Sequence, residues 1–330
     1  MNRMFLRAAA LCGVIVLAGA GRASANCGAE GCPLSPGGLE GAGRRWTLDV
    51  GYQYVSQDVV WDGSGKVTEP EPVGHITELF TKTSSYTLNG RARVMRSLVL
   101  TGSLPYIQRK HAHELQHHPG YFVPTEWQYE GLGDAMLTAN WQAFGTPEYG
   151  IGAFSIQAGA KLPTGVTEVP EVDGEQPEPP ARPGTGSTDG IAGLGLVRNL
   201  LLPAPGGRST TVPLVLTAMG RWNGEGTDGY RVGDELQVSL SSVYGALPHF
   251  SVLAQVNFLS HGKDDVGNTD AEPHHTGGQS LFATPGLRVA LPGSAALYGY
   301  WQLRIYEHTN GPQLVAPDHL IFGASFGLGN

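Results

Sequence analysis

The sequence predicts an all-β protein, a transmembrane antiparallel up-and-down β-barrel of about 12 strands, with a range of roughly 10–14. The first observation is alternation: in Trp46–Tyr54, apolar side chains such as Trp46 and Leu48 face one way, and polar ones such as Asp49 face the other. A period of two over nine or ten residues is typical of a tilted strand that crosses a bilayer. The second observation is that long and short connections alternate along the chain, as they do in outer-membrane barrels.

Twelve strands are predicted from this alternation. Their apolar faces carry no charged residue at the positions assigned to lipid, and Pro285 in the tenth strand predicts a β-bulge, because proline lacks the amide that a ladder needs. The predicted strands are 46–55, 84–94, 98–106, 134–144, 151–162, 190–198, 212–222, 235–245, 250–259, 281–291, 296–306 and 319–328.

The lengths of the predicted connections indicate how the barrel is oriented in the membrane. Short turns fall near 95–97, 145–149, 199–211, 246–249 and 292–295, and long loops fall at 56–83, 107–133, 163–189, 223–234, 260–280 and 307–318. Long loops are expected outside the cell and short turns in the periplasm. An even number of strands then puts both chain ends in the periplasm.

The start of the chain predicts export. Arg3 and Arg7 precede the apolar run Ala8–Ala20, and Ala23-Ser24-Ala25 supplies a small-residue cleavage site. Residues 1–25 are therefore predicted to be a cleaved signal peptide, 26–45 a periplasmic tail, and 46–330 the barrel in the bacterial outer membrane. In the tail, Cys27 and Cys32 favour a disulfide in the oxidising periplasm over a metal or redox role.

Composition narrows the class further. Glycine accounts for 48 of 330 residues and charged residues for only 15%, and glycine is costly inside helices. No apolar run of 18 or more residues follows the signal segment, so a membrane protein with this sequence must be a closed barrel. The net charge of -8 argues against nucleic acid as a partner.

Charged side chains at inward positions are the candidates for a solute path. Basic residues outnumber acidic ones there, which favours an anionic or carboxylated solute. The alternative is a static ion-pair network, or an inserted segment, that fills a closed structural barrel. The candidates are Asp49, Arg91, Arg93, Asp134, Lys161, Arg198, Arg221, Glu235, Arg288 and Arg304.

The loops suggest a different alternative. Residues 166–181 are rich in Glu and Pro, which predicts an extended acidic segment. Histidines cluster in two loops and are able to bind copper or zinc, so a surface metal-binding barrel is the alternative function, and no other cofactor is expected. These histidines are His111, His113, His117, His118, His261, His274 and His275.

One stretch matches the zinc protease signature. His113-Glu114-Leu115-Gln116-His117 has the H-E-x-x-H spacing, in which two histidines one helical turn apart hold the metal. Pro119 and Gly120 follow directly and would break the required helix. Since a chance match inside a histidine cluster explains the spacing, no enzymatic activity is predicted.

Several segments together resemble the outer-membrane family named for the putative meta-pathway of phenol degradation. They occur in order from Ser103 to Leu287 and comprise Ser103-Leu104-Pro105-Tyr106, Gly131-Leu132-Gly133-Asp134, Lys161-Leu162-Pro163-Thr164-Gly165, Gly184-Thr185-Gly186-Ser187-Thr188-Asp189, Gln255-Val256-Asn257 and Thr284-Pro285-Gly286-Leu287. The resemblance implies a channel or transporter that admits small hydrophobic or aromatic compounds, and it implies no catalytic residues. The predicted partners are the lipid bilayer, a small organic solute and a periplasmic partner of the tail.

Overall fold

The computed structural model describes residues 45–67, 76–118, 121–146, 152–172, 174, 176–204, 208–247, 249–269 and 275–329. Within them one sheet of fifteen strands forms. The strands are β1 Trp46–Gln57, β2 Val59–Gly63, β3 Gly65–Lys66, β4 Ile76–Met95, β5 Leu98–His118, β6 Tyr121–Leu132, β7 Ala135–Thr146, β8 Gly152–Leu162, β9 Asp189–Ala204, β10 Arg208–Trp222, β11 Glu235–Leu247, β12 Phe250–His261, β13 Gly278–Leu291, β14 Ala295–Val315 and β15 Asp318–Leu328.

Twelve of these strands close into an antiparallel barrel. The order around it is β1, β4, β5, β7, β8, β9, β10, β11, β12, β13, β14 and β15, and β15 then pairs with β1. In the closing pairs, Val50 of β1 lies between Ala324 of β15 and Leu88 of β4. The predicted fold class is therefore confirmed, and each of the twelve predicted strands corresponds to one barrel strand.

The barrel has two unlike ends. At the turn end, β4–β5, β7–β8, β9–β10, β11–β12 and β13–β14 are joined by short connections, and β1 begins and β15 ends there. At the loop end lie the longer connections, of which 163–188, between β8 and β9, is described over most of its length. The predicted alternation of long and short connections is thus present along the barrel.

The outer surface carries a belt of exposed apolar side chains. Soluble proteins rarely expose continuous apolar surface of this extent, whereas a lipid-facing barrel requires it. Examples from around the barrel are Trp46, Leu48, Val50, Leu88, Leu100, Leu137, Trp141, Ile156, Leu194, Trp222, Val252, Leu287, Leu297, Trp301, Phe322 and Phe326. No helix long and apolar enough to cross a membrane occurs among the residues that the structure describes.

The structure differs from the prediction above the barrel, where 107–118 and 121–132 are strand rather than loop. The long strand β5 pairs there with β6, which takes the place of β7 beside it. The outer face of this extension is polar, with Lys110 paired to Glu126 at 2.9 Å, and its inner face buries Trp127 and Tyr129. Because apolar-outward alternation was the criterion for a strand, the inverted pattern concealed β6.

Two further details correct the prediction. The last loop, 307–318, is mostly strand, since β14 continues to Val315 and pairs with β2 beyond the barrel. The bulge expected at Pro285 is absent, because Pro285 pairs with Ala254 of β12 without a change of register. The shift on this strand instead lies between Leu281 and Phe282, on the side of β14.

Candidate functional site

The candidate site is the lumen, and the inward face is set by the same two-residue period that builds the outer belt. On β1, Asp49 is 5% exposed and points inward, between the exposed side chains of Leu48 and Val50. Its Oδ1 accepts hydrogen bonds from Asn89 Nδ2 and Tyr298 Oη, both at 3.1 Å. The lumen wall is thus polar where the outer wall is apolar.

Burial along the inward face changes from one end of the barrel to the other. Toward the turn end, inward residues such as Arg91, Arg93 and Thr101 are half-buried. Toward the loop end, inward residues such as Thr83 and Arg109 are buried, at 1% and 5% exposure. On the opposite wall toward the turn end, Val243, Leu253 and Ala296 are buried, at 8%, 4% and 1% exposure. The lumen is therefore packed at the loop end and partly accessible toward the turn end beside β4 and β5, and we call this accessible part the vestibule.

A buried lysine holds the β8–β9 connection in place. Lys161 Nζ lies 2.9 Å from Asp189 Oδ2 and 3.2 Å from Asp134 Oδ2, and all three side chains are 4% exposed or less. The same ammonium donates to the hydroxyls of Thr185 and Ser187. A buried ion pair is favourable only when further hydrogen bonds satisfy its remaining donors and acceptors, as happens here.

The connection is pinned again through backbone amides. Asp134 Oδ1 accepts from the amide of Gly165, and Oδ2 accepts from the amide of Thr185, each at 2.9 Å. Asp134 therefore binds both ends of the connection at once. We call residues 163–188 the plug segment, because this arrangement turns it back onto the barrel instead of leaving it as a free loop.

The middle of the plug segment lies against β5 and β6. Arg109 donates to the carbonyl oxygens of Pro180 and Ala181, and Tyr129 Oη also donates to Ala181 at 2.5 Å. Trp127 and Tyr129 form a buried apolar cluster with Val169. These anchors were missed by the sequence analysis, and the inverted alternation of 125–129 is the signal that would have indicated them.

The plug segment also contacts the next loop. Arg182 donates to the backbone oxygens of Pro177 and Thr167, and pairs with Asp228 at 3.3 Å. The amide of Thr227 donates to the carbonyl of Thr185. The acidic, proline-rich stretch predicted at 166–181 is thus held by named contacts at both its ends and its middle.

Apart from Arg198, the remaining charged candidates fall into two groups. Within the packed part, Arg221 pairs with Glu235, whose carboxylate lies 3.5 Å from His261 Nε2. Arg304 likewise pairs with Glu307, which accepts from Ser280 at 2.7 Å. In the vestibule, Arg91, Arg93 and Arg288 are inward and half-buried.

Arg198 departs from the prediction. It alternates in phase with the exposed Leu194 and Leu196 on β9, and it pairs with Leu214 of β10. It is therefore exposed on the outer face, not in the lumen, and one outward position does carry a charge. The Gly-rich strand around it gave little contrast between its two faces, which explains the wrong assignment.

The histidines lie on strands where the structure describes them. His111 is 6% exposed and its Nδ1 lies 2.8 Å from Thr81 Oγ1, while His113 packs edge-on against Trp127 with 4.5 Å between ring centroids. Among the described residues, no group of three or more His, Cys, Asp or Glu forms a metal site. The backbone of 113–117 is β-strand, so the protease signature lacks its helix.

Several predicted features lie outside the described residues. They are the signal peptide 1–25, the tail with Cys27 and Cys32, and His274, while His117 and His118 are described only as part of the backbone of β5. His275 opens a described segment and packs near Gly311. The disulfide and the metal-binding alternative therefore stay predictions.

The plug segment is predicted to loosen as pH rises. Burial, together with the charges of Glu78 and Asp264, raises the pKa of Glu178 from 4.5 to about 8. A carboxyl with a raised pKa stabilises the docked state of the segment at low pH. As the pH rises from about 4.5 to 8, the equilibrium constant for docking falls by up to about tenfold per pH unit. Conductance should therefore rise across this range and flatten in Glu178→Gln, but not in the control Glu171→Gln, an exposed carboxylate on the same segment. An unchanged pH profile in Glu178→Gln would contradict this prediction.

Comparison with known proteins identifies the fold. The COG4313 outer membrane channel from Pseudomonas putida F1 is 13% identical, with a TM-score of 0.58 over 86% of this chain and 95% of that chain. The transport unit of the autotransporter AIDA-I from Escherichia coli is 12% identical, with a TM-score of 0.52 over 86% and 90%. Identities this low show a shared fold, that of outer-membrane barrels.

Sequence comparisons add no family. No family model matches the chain, and no curated protein matches it. The resemblance to the phenol-degradation family therefore stays a prediction.

Proposed function

We propose that the chain is a channel of the bacterial outer membrane that conducts small organic solutes and has no enzymatic activity. The observation that carries the proposal is the unequal lumen: a half-exposed polar vestibule at the turn end leads to a plug segment docked through Lys161 and Asp134. A barrel that served only as a scaffold has no need of an accessible polar vestibule. The shared fold with a protein described as an outer membrane channel supports the same function.

In this proposal the docked plug segment controls whether the lumen is open. Twelve strands enclose a lumen wider than the smallest barrels, which side chains alone fill. The plug segment supplies the additional packing at the loop end, where hydrogen bonds and ion pairs hold it alongside one small apolar cluster at Val169. Solute passage accordingly requires that the segment shifts, so a low resting conductance with discrete openings is expected.

Planar bilayer recording tests the function. The mature chain, refolded in detergent and checked for heat-modifiable gel migration, is expected to give discrete single-channel events, and proteoliposomes containing it should take up erythritol. A barrel that folds but stays sealed, both as wild type and with the plug segment destabilised by Lys161→Met, would refute the channel and favour a closed structural barrel.

A further inference from the structure

Two inward side chains of opposite charge lie side by side in the vestibule without forming an ion pair. Asp49 of β1 pairs with Asn89 of β4, and Thr47 pairs with Arg91. Asp49 and Arg91 are therefore diagonal neighbours on adjacent strands, with Cα atoms about 7–8 Å apart. No ion pair or hydrogen bond joins them among the described contacts.

Each of the two has a buried polar atom without a partner. Asp49 uses Oδ1 for Asn89 and Tyr298, while its Oδ2 is unpartnered. Arg91 Nη1 is also unpartnered, and Arg91 forms no hydrogen bond within the described part of the chain. Leaving a charged group buried and unpaired is costly, so a molecule that satisfied both atoms would be stabilised there.

The chemistry of that molecule follows from the two atoms. A guanidinium only donates, and Arg91 has Arg93 two residues along the same face, whose positive charge acts on it. The pair therefore favours an anion with paired oxygens, such as a carboxylate, which the guanidinium fork matches. Asp49 Oδ2 only accepts and carries negative charge, so the second group has to be a donor, and an ammonium fits it best.

An apolar surface adjoins these two groups. Tyr298 and Tyr300 stack with 5.1 Å between ring centroids, and Val243 and Leu253 are buried against them. Because the Tyr298 hydroxyl donates to Asp49, the ring surface begins directly beside the carboxylate. The four side chains are 3–8% exposed, so the hydrocarbon part of a ligand held at Asp49 and Arg91 would meet the lumen-side edge of this cluster.

We propose that the vestibule binds small α-amino acids with apolar side chains, the carboxylate on Arg91 and the ammonium on Asp49. This rests on the proposed channel function and names its solute class. Asp49 positions the ammonium and, through Tyr298, the apolar surface. Arg91 selects the carboxylate.

Paired uptake measurements test the assignment. Proteoliposomes are given radiolabelled L-leucine and erythritol, a neutral solute of similar size, and the ratio of the two rates is compared among variants. Loss of one charge-assisted contact is expected to lower the leucine-to-erythritol ratio about five- to tenfold in Arg91→Gln and in Asp49→Asn. Erythritol passes through the same lumen and is the reference that corrects each leucine rate for the number and width of open channels.

A matched control comes from the same chain. Arg198→Gln removes the same charge from the outer face and should leave the ratio unaltered. Each variant is first checked for heat-modifiable migration, and since two residues carry the proposal, failure of one to fold leaves the other as the test. Equal ratios in wild type and in a folded Arg91→Gln or Asp49→Asn would overturn the amino-acid site while leaving the channel standing. A barrel sealed to erythritol would instead refute the channel and, with it, this site.

Discussion

Replacing Lys161 with methionine is expected to release the plug segment and raise the single-channel conductance several-fold. The substitution leaves Asp134 and Asp189 buried with no cation between them, at side-chain exposures of 3% and 1%. Removing one partner of a buried ion pair costs about 3–5 kcal/mol. The barrel strands themselves are held by continuous ladders, so the charge is relieved most easily by the segment moving away and admitting water.

The control for this result is a second lysine on the surface of the same protein. Lys110 pairs with Glu126 at 2.9 Å, but the two side chains are 43% and 50% exposed. An exposed pair of this kind contributes about 0–1 kcal/mol, so Lys110→Met should conduct like wild type.

A rescue separates charge from packing. Combining Lys161→Met with Asp189→Asn removes one uncompensated carboxylate and keeps Asp134, whose two oxygens accept the amides of Gly165 and Thr185. The conductance of this double variant should return toward the wild-type value. If Lys161→Met conducted no more than Lys110→Met, the plug segment would not be the element that closes the lumen.

The strands could be predicted because their pattern has one cause. A residue of the membrane part faces either lipid or lumen, so a polarity contrast of period two appears wherever the strand crosses the bilayer, and it identified β1 and β12 within two residues at either end. Above the bilayer the contrast inverts, as at Lys110 and Trp127, and the rule no longer applied. The rule also failed in strand β9, where several glycines leave little polarity contrast between the two faces, and Arg198 was assigned to the wrong side.

The candidate site was predictable only in part. Asp134 and Lys161 were identified as inward charges. Their ion-pair cluster with Asp189 depends on the path of the plug segment, which no local sequence pattern encodes. Arg109 and Tyr129 hold that segment through its carbonyl oxygens, and a backbone acceptor has no sequence signature. The unpaired atoms of Asp49 and Arg91 likewise follow from register between strands, which requires the three-dimensional pairing.

Placing a single methyl group at Gly286 is expected to narrow the vestibule. Gly286 faces inward on β13, opposite Tyr300, and a Cβ there would overlap the Cδ1–Cε1 edge of the Tyr300 ring. The ring cannot move outward through the sheet, so in Gly286→Ala it has to turn into the lumen. Overpacking of this kind costs about 1–3 kcal/mol, and the displaced ring should reduce single-channel conductance several-fold.

The matched control is a glycine on the opposite face of the wall. Gly90 points toward lipid, and a Cβ there would meet nothing within 4 Å, so Gly90→Ala should keep wild-type conductance. Adding Tyr300→Ala to Gly286→Ala removes the displaced ring and should restore the wide vestibule. Equal conductance in Gly286→Ala and Gly90→Ala would show that the ring finds room along the wall, and that the inward tyrosines do not set the width of the path.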